Sequence, residues 1–383
     1  MSVFDAVVGQ TRTVDALQRA VRDADREPPG HAMTHAWLFT GPPGSGRSVA
    51  ARAFAAALAC PNGGCGQCPD CHTALLGTHA DVDHVTTEAM TISVGKARSL
   101  VLEAATAPSV ARWRVIVVED ADRLTEAANN ALLKSLEEPT PHTVWLLCAP
   151  SLEDVLPTIR SRCRHVVLTT PSTRDVTRHL VERDGIDEPM AAFAARASMG
   201  HIGRARGLAR DEQSRLTRAA TLSMPVNLGS LGTALLSARE LVDAAAERGA
   251  ERTKVVDESE RTELARGMGV ENPERPPVWA RSEFKRLKDT QEKRRKRATI
   301  DELDRDLQDL LAFYRDVLVL QVGGGVTLIN AELMPNIERV AKRGEPETTM
   351  QAMEAILEAR EKITAYVTPL LAVEEMVLAL RAS

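Results

Sequence analysis

One eight-residue stretch, Gly41-Pro42-Pro43-Gly44-Ser45-Gly46-Arg47-Ser48, constrains this chain more than any other. It follows an apolar run, Ala36-Trp37-Leu38-Phe39-Thr40, and opens an alanine-rich segment reaching about Ala59. Glycines at this spacing let backbone N–H groups turn inward around phosphate oxygens, and the N-terminus of the following helix adds partial positive charge. Such a loop needs a strand behind it and a helix ahead of it. It therefore predicts a parallel α/β sheet as the organising core of the N-terminal part. One position departs from the usual G-x-x-x-x-G-K-[ST] frame: Arg47 stands where lysine is expected. Lysine is a slim point charge; arginine is a bulkier planar fork, so the exchange is not conservative. Ser48 is the expected Mg²⁺ ligand. The loop leaves ATP·Mg²⁺ binding open and predicts poor hydrolysis.

The surrounding pattern agrees. Asp83–Thr86, Arg114–Val118, Val144–Cys148 and Val166–Leu168 read as further strands. Val94–Ala105 and Thr125–Glu138 read as helices, the first with Val94, Ala97, Val101, Leu102 and Ala105 on one side. Strands spaced by helices indicate a parallel sheet covered on both faces. From Pro171 onward the chain reads as helix, interrupted by Asn272–Pro277 and Gln321–Gly325. The expected division is a nucleotide-binding domain over 1–170, a small helical lid over 171–215 and an all-helical domain over 216–383.

Val115-Ile116-Val117-Val118-Glu119-Asp120 has the apolar strand that carries the metal-organising acids of a phosphate site, but in reversed order. The usual Asp organises Mg²⁺ and the usual Glu polarises water. Asp120 is one methylene too short for that reach, and general-base work demands hydrogen-bond distance. Glu119 is left with a Mg²⁺ role, or the pair is two acids at a strand end without a ligand.

Three further segments make the reading specific. Asn130-Ala131-Leu132-Leu133-Lys134-Ser135-Leu136-Glu137-Glu138-Pro139, Ser161-Arg162-Cys163 and Val8-Gly9-Gln10 resemble motifs of the clamp-loader subunits of bacterial DNA polymerase III, an AAA+ family. With the phosphate loop and the acid pair they span roughly residues 4 to 165. The resemblance implies an AAA+ domain, a helical lid and a helical collar that holds subunits in a ring. It implies that Val8 and Gly9 lie on the adenine side of the nucleotide site, with Gly41, Gly44, Ser45, Gly46, Arg47 and Ser48 around its phosphates. It also implies that Arg162 acts in trans, on the γ-phosphate held by a neighbouring subunit; a local salt bridge is the other reading of Arg162. Two family features are missing. The run after the third clear strand is Cys148-Ala149-Pro150-Ser151, and proline cannot serve as a polar γ-phosphate sensor. The lid has Gly200-His201-Ile202-Gly203, with Arg204 one step late, and one residue on a helix turns a side chain by ~100°. Eroded cis machinery beside a retained finger resembles the delta-prime subunits, and an ATP-hydrolysing gamma/tau-like motor is the alternative. The implied partners are delta and gamma/tau subunits, the sliding clamp indirectly, and primed DNA. Polymerase chemistry belongs to the assembly: this chain has no acids placed for two-metal nucleotidyl transfer. A recombination helicase of the same superfamily would have no reason for the segments just named.

Cys60, Cys65, Cys68 and Cys71 fall within twelve residues. The gaps, x₄, x₂ and x₂, are rich in Gly and Pro and allow four thiolates to converge on one ion. Four sulfurs leave no open position, so a structural Zn²⁺ is expected, with an iron–sulfur cluster or free thiols as the alternatives. Clamp-loader subunits carry a similar insertion at this point. The loop lacks Lys and Arg, which argues against nucleic-acid contact there.

Other classes are disfavoured. The first residues lack a signal-peptide pattern and no run of ~18 apolar residues exists, so a cytoplasmic protein without a membrane span is expected. The net charge is −5 and aromatics are 3%, which predicts no wholesale attraction to DNA. A basic run from Lys285 to Arg297 reads first as a solvated helix face and second as a DNA contact. Leu307, Leu310, Leu311, Tyr314 and Leu318 read first as core and second as a partner face.

Overall fold

The computed structural model describes residues 2–87, 91–365 and 367–382. The chain divides into two compact units, one ending at Arg210 and one beginning at Asp211.

The first unit is built on five parallel strands, β1 (Ala36–Thr40), β2 (Val82–Val85), β3 (Arg114–Val118), β4 (Thr143–Ala149) and β5 (Arg164–Val167), in the order β2-β3-β4-β1-β5. The phosphate loop leaves the carboxyl end of β1, which pairs with β4 (Leu38 beside Leu147) and with β5 (Phe39 beside Val166). Strand periodicity sorts the side chains. Trp37, Phe39, Val115, Val117 and Cys148 pack on one face, under α1 (Thr11–Ala24), α2 (Arg47–Ala59) and α3 (Pro69–Leu76). Leu38, Ile116, Val118 and Leu147 pack on the other, under α4 (Val94–Ala104) and α5 (Glu126–Glu137). Because both faces are covered, β1 and β4 are buried at every residue, which is why they read as continuous apolar runs. The fold class is therefore as expected, a parallel α/β nucleotide-loop domain with helical additions.

One local expectation is corrected. On α4 the buried residues are Ala97, Leu100 and Ala104, whereas Leu102 and Ala105 are exposed. The true stripe follows the i, i+3, i+4 spacing from Ala97, which leaves Leu102 outside it.

A short helix, α6 (Pro157–Arg160), precedes β5. Three helices close the unit: α7 (Thr173–Asp184), α8 (Glu188–Ala197) and α9 (Ile202–Arg210), around Val176, Leu180, Ala194 and Leu208.

The second unit is all helical: α10 (Glu212–Ser223), α11 (Leu231–Met268), α12 (Arg281–Gln321), α13 (Met334–Ala341), α14 (Pro346–Thr364) and α15 (Pro369–Ala382). Leu307, Leu310 and Tyr314 are buried in its core and Leu311 is partly buried against it, as the first reading held, whereas Leu318 is half-buried and outside that cluster. Arg218 is buried there too, donating from Nε to Asp309 at 3.0 Å and from Nη2 to Asn330. α11 and α12 run antiparallel, Gly249 against Thr299 and Ala265 near Phe284. Their distal parts extend past the main core as an arm with its own small cluster, Ala265, Val270, Ala280 and Phe284.

Candidate functional site: phosphate loop, surface arginine and cysteine cluster

The loop after β1 is held at both ends. Gly41 N–H donates to the Pro150 carbonyl at 3.1 Å and Ser45 N–H to the Pro42 carbonyl at 3.0 Å, and α2 starts at Arg47 behind Gly46. Gln10, 6% exposed, braces the loop from outside. Its amide N–H group donates to the carbonyls of Ser45 (3.4 Å) and Thr169, and its oxygen accepts from Thr169 N–H at 3.3 Å. Val8 is half-buried just before it, and Gly9 packs on Pro171. Ser48, on the first turn of α2, is half-buried.

Two contacts bear on whether the loop is free for a phosphate. The Arg47 guanidinium folds back and donates to the carbonyl of Gly41, within its own loop. At Gly44, with φ +86°, a Cβ would lie 2.7 Å from His201 Cβ and 2.8 Å from His201 Cα, so the turn before α9 presses directly on the loop. Only glycine fits this approach. One group remains unspent: Ser45 Oγ is buried and makes no hydrogen bond among the described residues, the kind of orphan a bound oxyanion would satisfy.

Alternation along β3 sends Glu119 to the α2 face, after Val115 and Val117. There it meets Arg52, whose Nε donates to Glu119 Oε1 at 2.5 Å, with His84 Nδ1 at 4.0 Å. Burial holds the His84 pKa below its ordinary value, helped by the Arg52 charge. Asp120 accepts from Thr87 N–H at 3.1 Å and lies 3.9 Å from Arg123. Burial also raises Asp122 above the usual carboxylate range, and it raises the Cys148 thiol at the end of β4. The Arg52–Glu119 pair was missed at the sequence level. Ser48 and Arg52 lie four apart on α2 and so share a face; that spacing was the available signal.

Arg162 follows α6 at the surface. Its Nη1 donates to the Thr158 carbonyl (2.6 Å) and the Ser161 hydroxyl (3.3 Å), and its Nη2 pairs with Glu137 at the end of α5. The two sequence segments that looked like separate motifs thus touch. Arg162 lies in a local ion pair and stays about a third exposed, its side chain 34% accessible.

The four clustered cysteines converge. Their sulfurs all lie within 4.8 Å of one another, with Cys60–Cys65 at 3.7 Å and Cys60–Cys68 at 3.5 Å. A tetrahedral ion with ~2.3 Å bonds to sulfur asks for about 3.8 Å between sulfurs, so the set fits one metal ion. Backbone N–H groups of Asn62, Gly66 and Cys71 point at the sulfurs of Cys60, Cys71 and Cys68, at 3.3–3.4 Å. Backbone donors at Gln67 and Cys68 pull the Cys65 thiol down to about 6. At Gly64, φ +97°, a Cβ would sit 2.7 Å from Val3, so the turn packs tightly on the N-terminal segment. His72 is exposed and outside the set.

Comparison with known proteins places this geometry in context. The family described as "DNA polymerase III, delta subunit" matches residues 10–172. The delta′ subunit of Pseudomonas aeruginosa DNA polymerase III is 38% identical over 135 residues, 34% of this chain and 41% of that protein. The delta′ subunit of Bacillus subtilis is 25% identical over 352 residues, 91% of each chain. The gamma/tau subunit of Mycobacterium bovis is 34% identical over 207 residues, 51% of this chain. This chain spans only about a third of that relative, 35% of its length.

Proposed function

We propose that this chain, a relative of the DNA polymerase III delta′ and gamma/tau subunits, is a delta′-type stator of a clamp loader. In this reading it does not turn over ATP. It joins delta and gamma/tau subunits in a ring through its helical collar and presents Arg162 to nucleotide on the neighbouring subunit. It so supports loading of the sliding clamp onto primed DNA. The observation that carries the reading is the internal engagement of its own phosphate site: Arg47 on the Gly41 carbonyl and Arg52 on Glu119, while Arg162 lies at the surface.

The chemistry follows from charge placement. A cation reaching a γ-phosphate across a subunit boundary stabilises the charge that develops on transfer, and such fingers are worth about 10³–10⁵ in rate. To reach out, Arg162 gives up its surface pair with Glu137, which in solvent is worth only about 0–1 kcal/mol. The residue is thus parked, not buried. Cys60, Cys65, Cys68 and Cys71 are proposed to hold Zn²⁺, which supplies cross-linking of the loop and no reaction chemistry because no ligand position stays open. In the cis site, Ser48 and Glu119 are the groups that Mg²⁺ would use and Gly41–Arg47 the cradle for phosphate. With Glu119 engaged by Arg52, the expected occupancy is weak.

The test is ATP binding and hydrolysis by the purified, metal-loaded chain. Weak or absent binding without turnover supports the stator. Robust turnover by the chain alone would make it a gamma/tau-like motor, the reading that the unspent Ser45 hydroxyl favours.

A further inference from the structure

The arm formed by α11 and α12 has a charge distribution unlike the rest of the chain. Residues 281–297 carry nine basic and three acidic side chains, net +6, in a chain whose total is −5, which leaves −11 for all the others. The chain has nine lysines in 383 residues, yet four of them, Lys285, Lys288, Lys293 and Lys296, fall within twelve positions.

The arginines of this stretch are engaged. Arg294 bridges to Asp257 and Glu260 at 2.6 Å, Arg295 lies 3.5 Å from Asp257, Arg297 3.9 Å from Asp301 and Arg286 3.6 Å from Glu283. The lysines differ. All four are exposed, and none forms an ion pair or hydrogen bond among the described residues. Phe284, Gln291 and Ala298 are the buried residues that face α11. At ~100° per residue, Lys285, Lys293 and Lys296 point away from that side and Lys288 flanks them, over three turns or ~16 Å of helix. The arm ends in a turn where Val278 and Trp279 are 76% and 61% exposed, whereas Trp37, Trp113 and Trp145 are all buried.

Uncompensated lysines on one face, beside an exposed tryptophan, fit a nucleic-acid strand better than a protein. Lysine is depleted at protein–protein interfaces. Backbone phosphates are neutralised by such point charges, and an aromatic face offers base stacking to any single strand. We propose that the outer face of α12, Lys285 to Lys296, binds the phosphate backbone of DNA, with Trp279 at the tip as a stacking platform for an unpaired base. The proposal stands whether or not the chain serves a clamp loader.

The experiment is fluorescence anisotropy of the full chain with a labelled ~20-nucleotide single strand, the matching duplex, and poly-glutamate as a non-nucleic polyanion. For four phosphates on a single strand the log–log salt slope should be about −3, so affinity should fall ~50-fold from 50 to 200 mM salt. Changing Lys285, Lys288, Lys293 and Lys296 to Gln together should remove at least ~10-fold of the low-salt affinity and flatten that slope. Trp279→Ala should weaken the single strand by about 5- to 100-fold and leave the duplex unchanged. Every altered position is exposed, so helicity and thermal midpoint should be kept. No binding at 50 mM salt, or a quadruple variant that binds like the parent, overturns the proposal. Poly-glutamate binding as tightly as DNA at matched charge would also overturn it and point to an acidic protein instead. If the lysine variant is impaired but Trp279→Ala is silent, the stacking role is overturned.

Discussion

Gly44 is where the phosphate loop and the turn before α9 meet, and its replacement tests whether that closure is real. Two costs add at Gly44→Ala. The residue sits at φ +86°, and a left-handed backbone costs an L-residue about 1–2 kcal/mol. The new Cβ would also lie 2.7 and 2.8 Å from His201 Cβ and Cα; because one contact is backbone, α9 must shift, and forced overpacking costs about 1–3 kcal/mol. Gly46 supplies the control. It has the same φ, +86°, but nothing within 4 Å of its Cβ position. Gly46→Ala therefore carries the backbone cost alone. The difference between the two variants, about 1–3 kcal/mol, isolates the contact between the loop and the turn before α9. For a unit of ~200 residues each kcal/mol moves the midpoint by about 2–4 °C, so Gly44→Ala should melt ~2–12 °C below Gly46→Ala. Tryptophan fluorescence in a Trp279→Phe background follows this unit alone, since Trp37, Trp113 and Trp145 all lie within it. Hydrogen exchange over α9 should rise in Gly44→Ala and not in Gly46→Ala. Equal stability of the two variants, with α9 protection unchanged, would refute the contact.

Three further outcomes are expected. One Zn²⁺ per chain should be found by elemental analysis; stripping it, or changing Cys65 to Ser, should cost unit 1 several kcal/mol, and a thermal midpoint indifferent to chelator would sink a structural role for the metal. Asp306 is raised to about 6, first by burial and then by the neighbouring charges of Asp309 and Glu302 against Arg248. Its folded pKa lies above its unfolded value of ~3.9, so the native state binds the extra proton and stability of the second unit falls as pH rises from ~4 to ~6. Asp306→Asn should flatten that slope by about one proton in urea titrations at several pH values, and an unaltered slope would show that other groups carry it. In a reconstituted loader, Arg162→Ala should lower turnover by ~10³-fold or more, whereas Glu137→Gln should change it by less than ~5-fold, the size of an exposed ion pair. A Glu137→Gln loss as deep as that of Arg162→Ala would mean that Glu137 positions the arginine instead of parking it.

What the sequence made legible follows burial. β1 and β4 announce themselves because both faces of the sheet are covered, so their apolar runs are unbroken. β5 was placed two residues late, at Val166, because Arg164 and His165 are exposed on an edge strand and carry no apolar signal. The charged stretch from Lys285 and the apolar stripe from Leu307 looked like separate features; they are one helix of 41 residues, whose character changes as it leaves the core for the arm. The phosphate loop was legible because its glycines answer a local backbone demand. The partners of its charged residues were not: Arg52 and Glu119 lie 67 residues apart, and Arg162 and Glu137 lie 25 apart. Such pairs are set by tertiary packing and leave only weak traces, such as the four-residue spacing from Ser48 to Arg52.

Those long-range pairs also change how the departures from an active phosphate site are weighed. Taken singly, an arginine in the lysine position is an awkward but positively charged neighbour for phosphate. In the folded chain its guanidinium is committed to the Gly41 carbonyl, and the first acid after β3 is committed to Arg52. Admitting ATP·Mg²⁺ would require releasing both. Hydrogen bonds to charged groups are worth about 1.5–3 kcal/mol each, so the two together, discounted for partial exposure, weaken nucleotide binding by about 2–4 kcal/mol. That is roughly 30-fold to 10³-fold in affinity relative to an open loop of the same backbone. Restoring lysine at position 47 removes only one of the two locks, because Glu119 stays with Arg52. The internal pairing, more than any one substitution, distinguishes this loop from one whose cation and acid are left free.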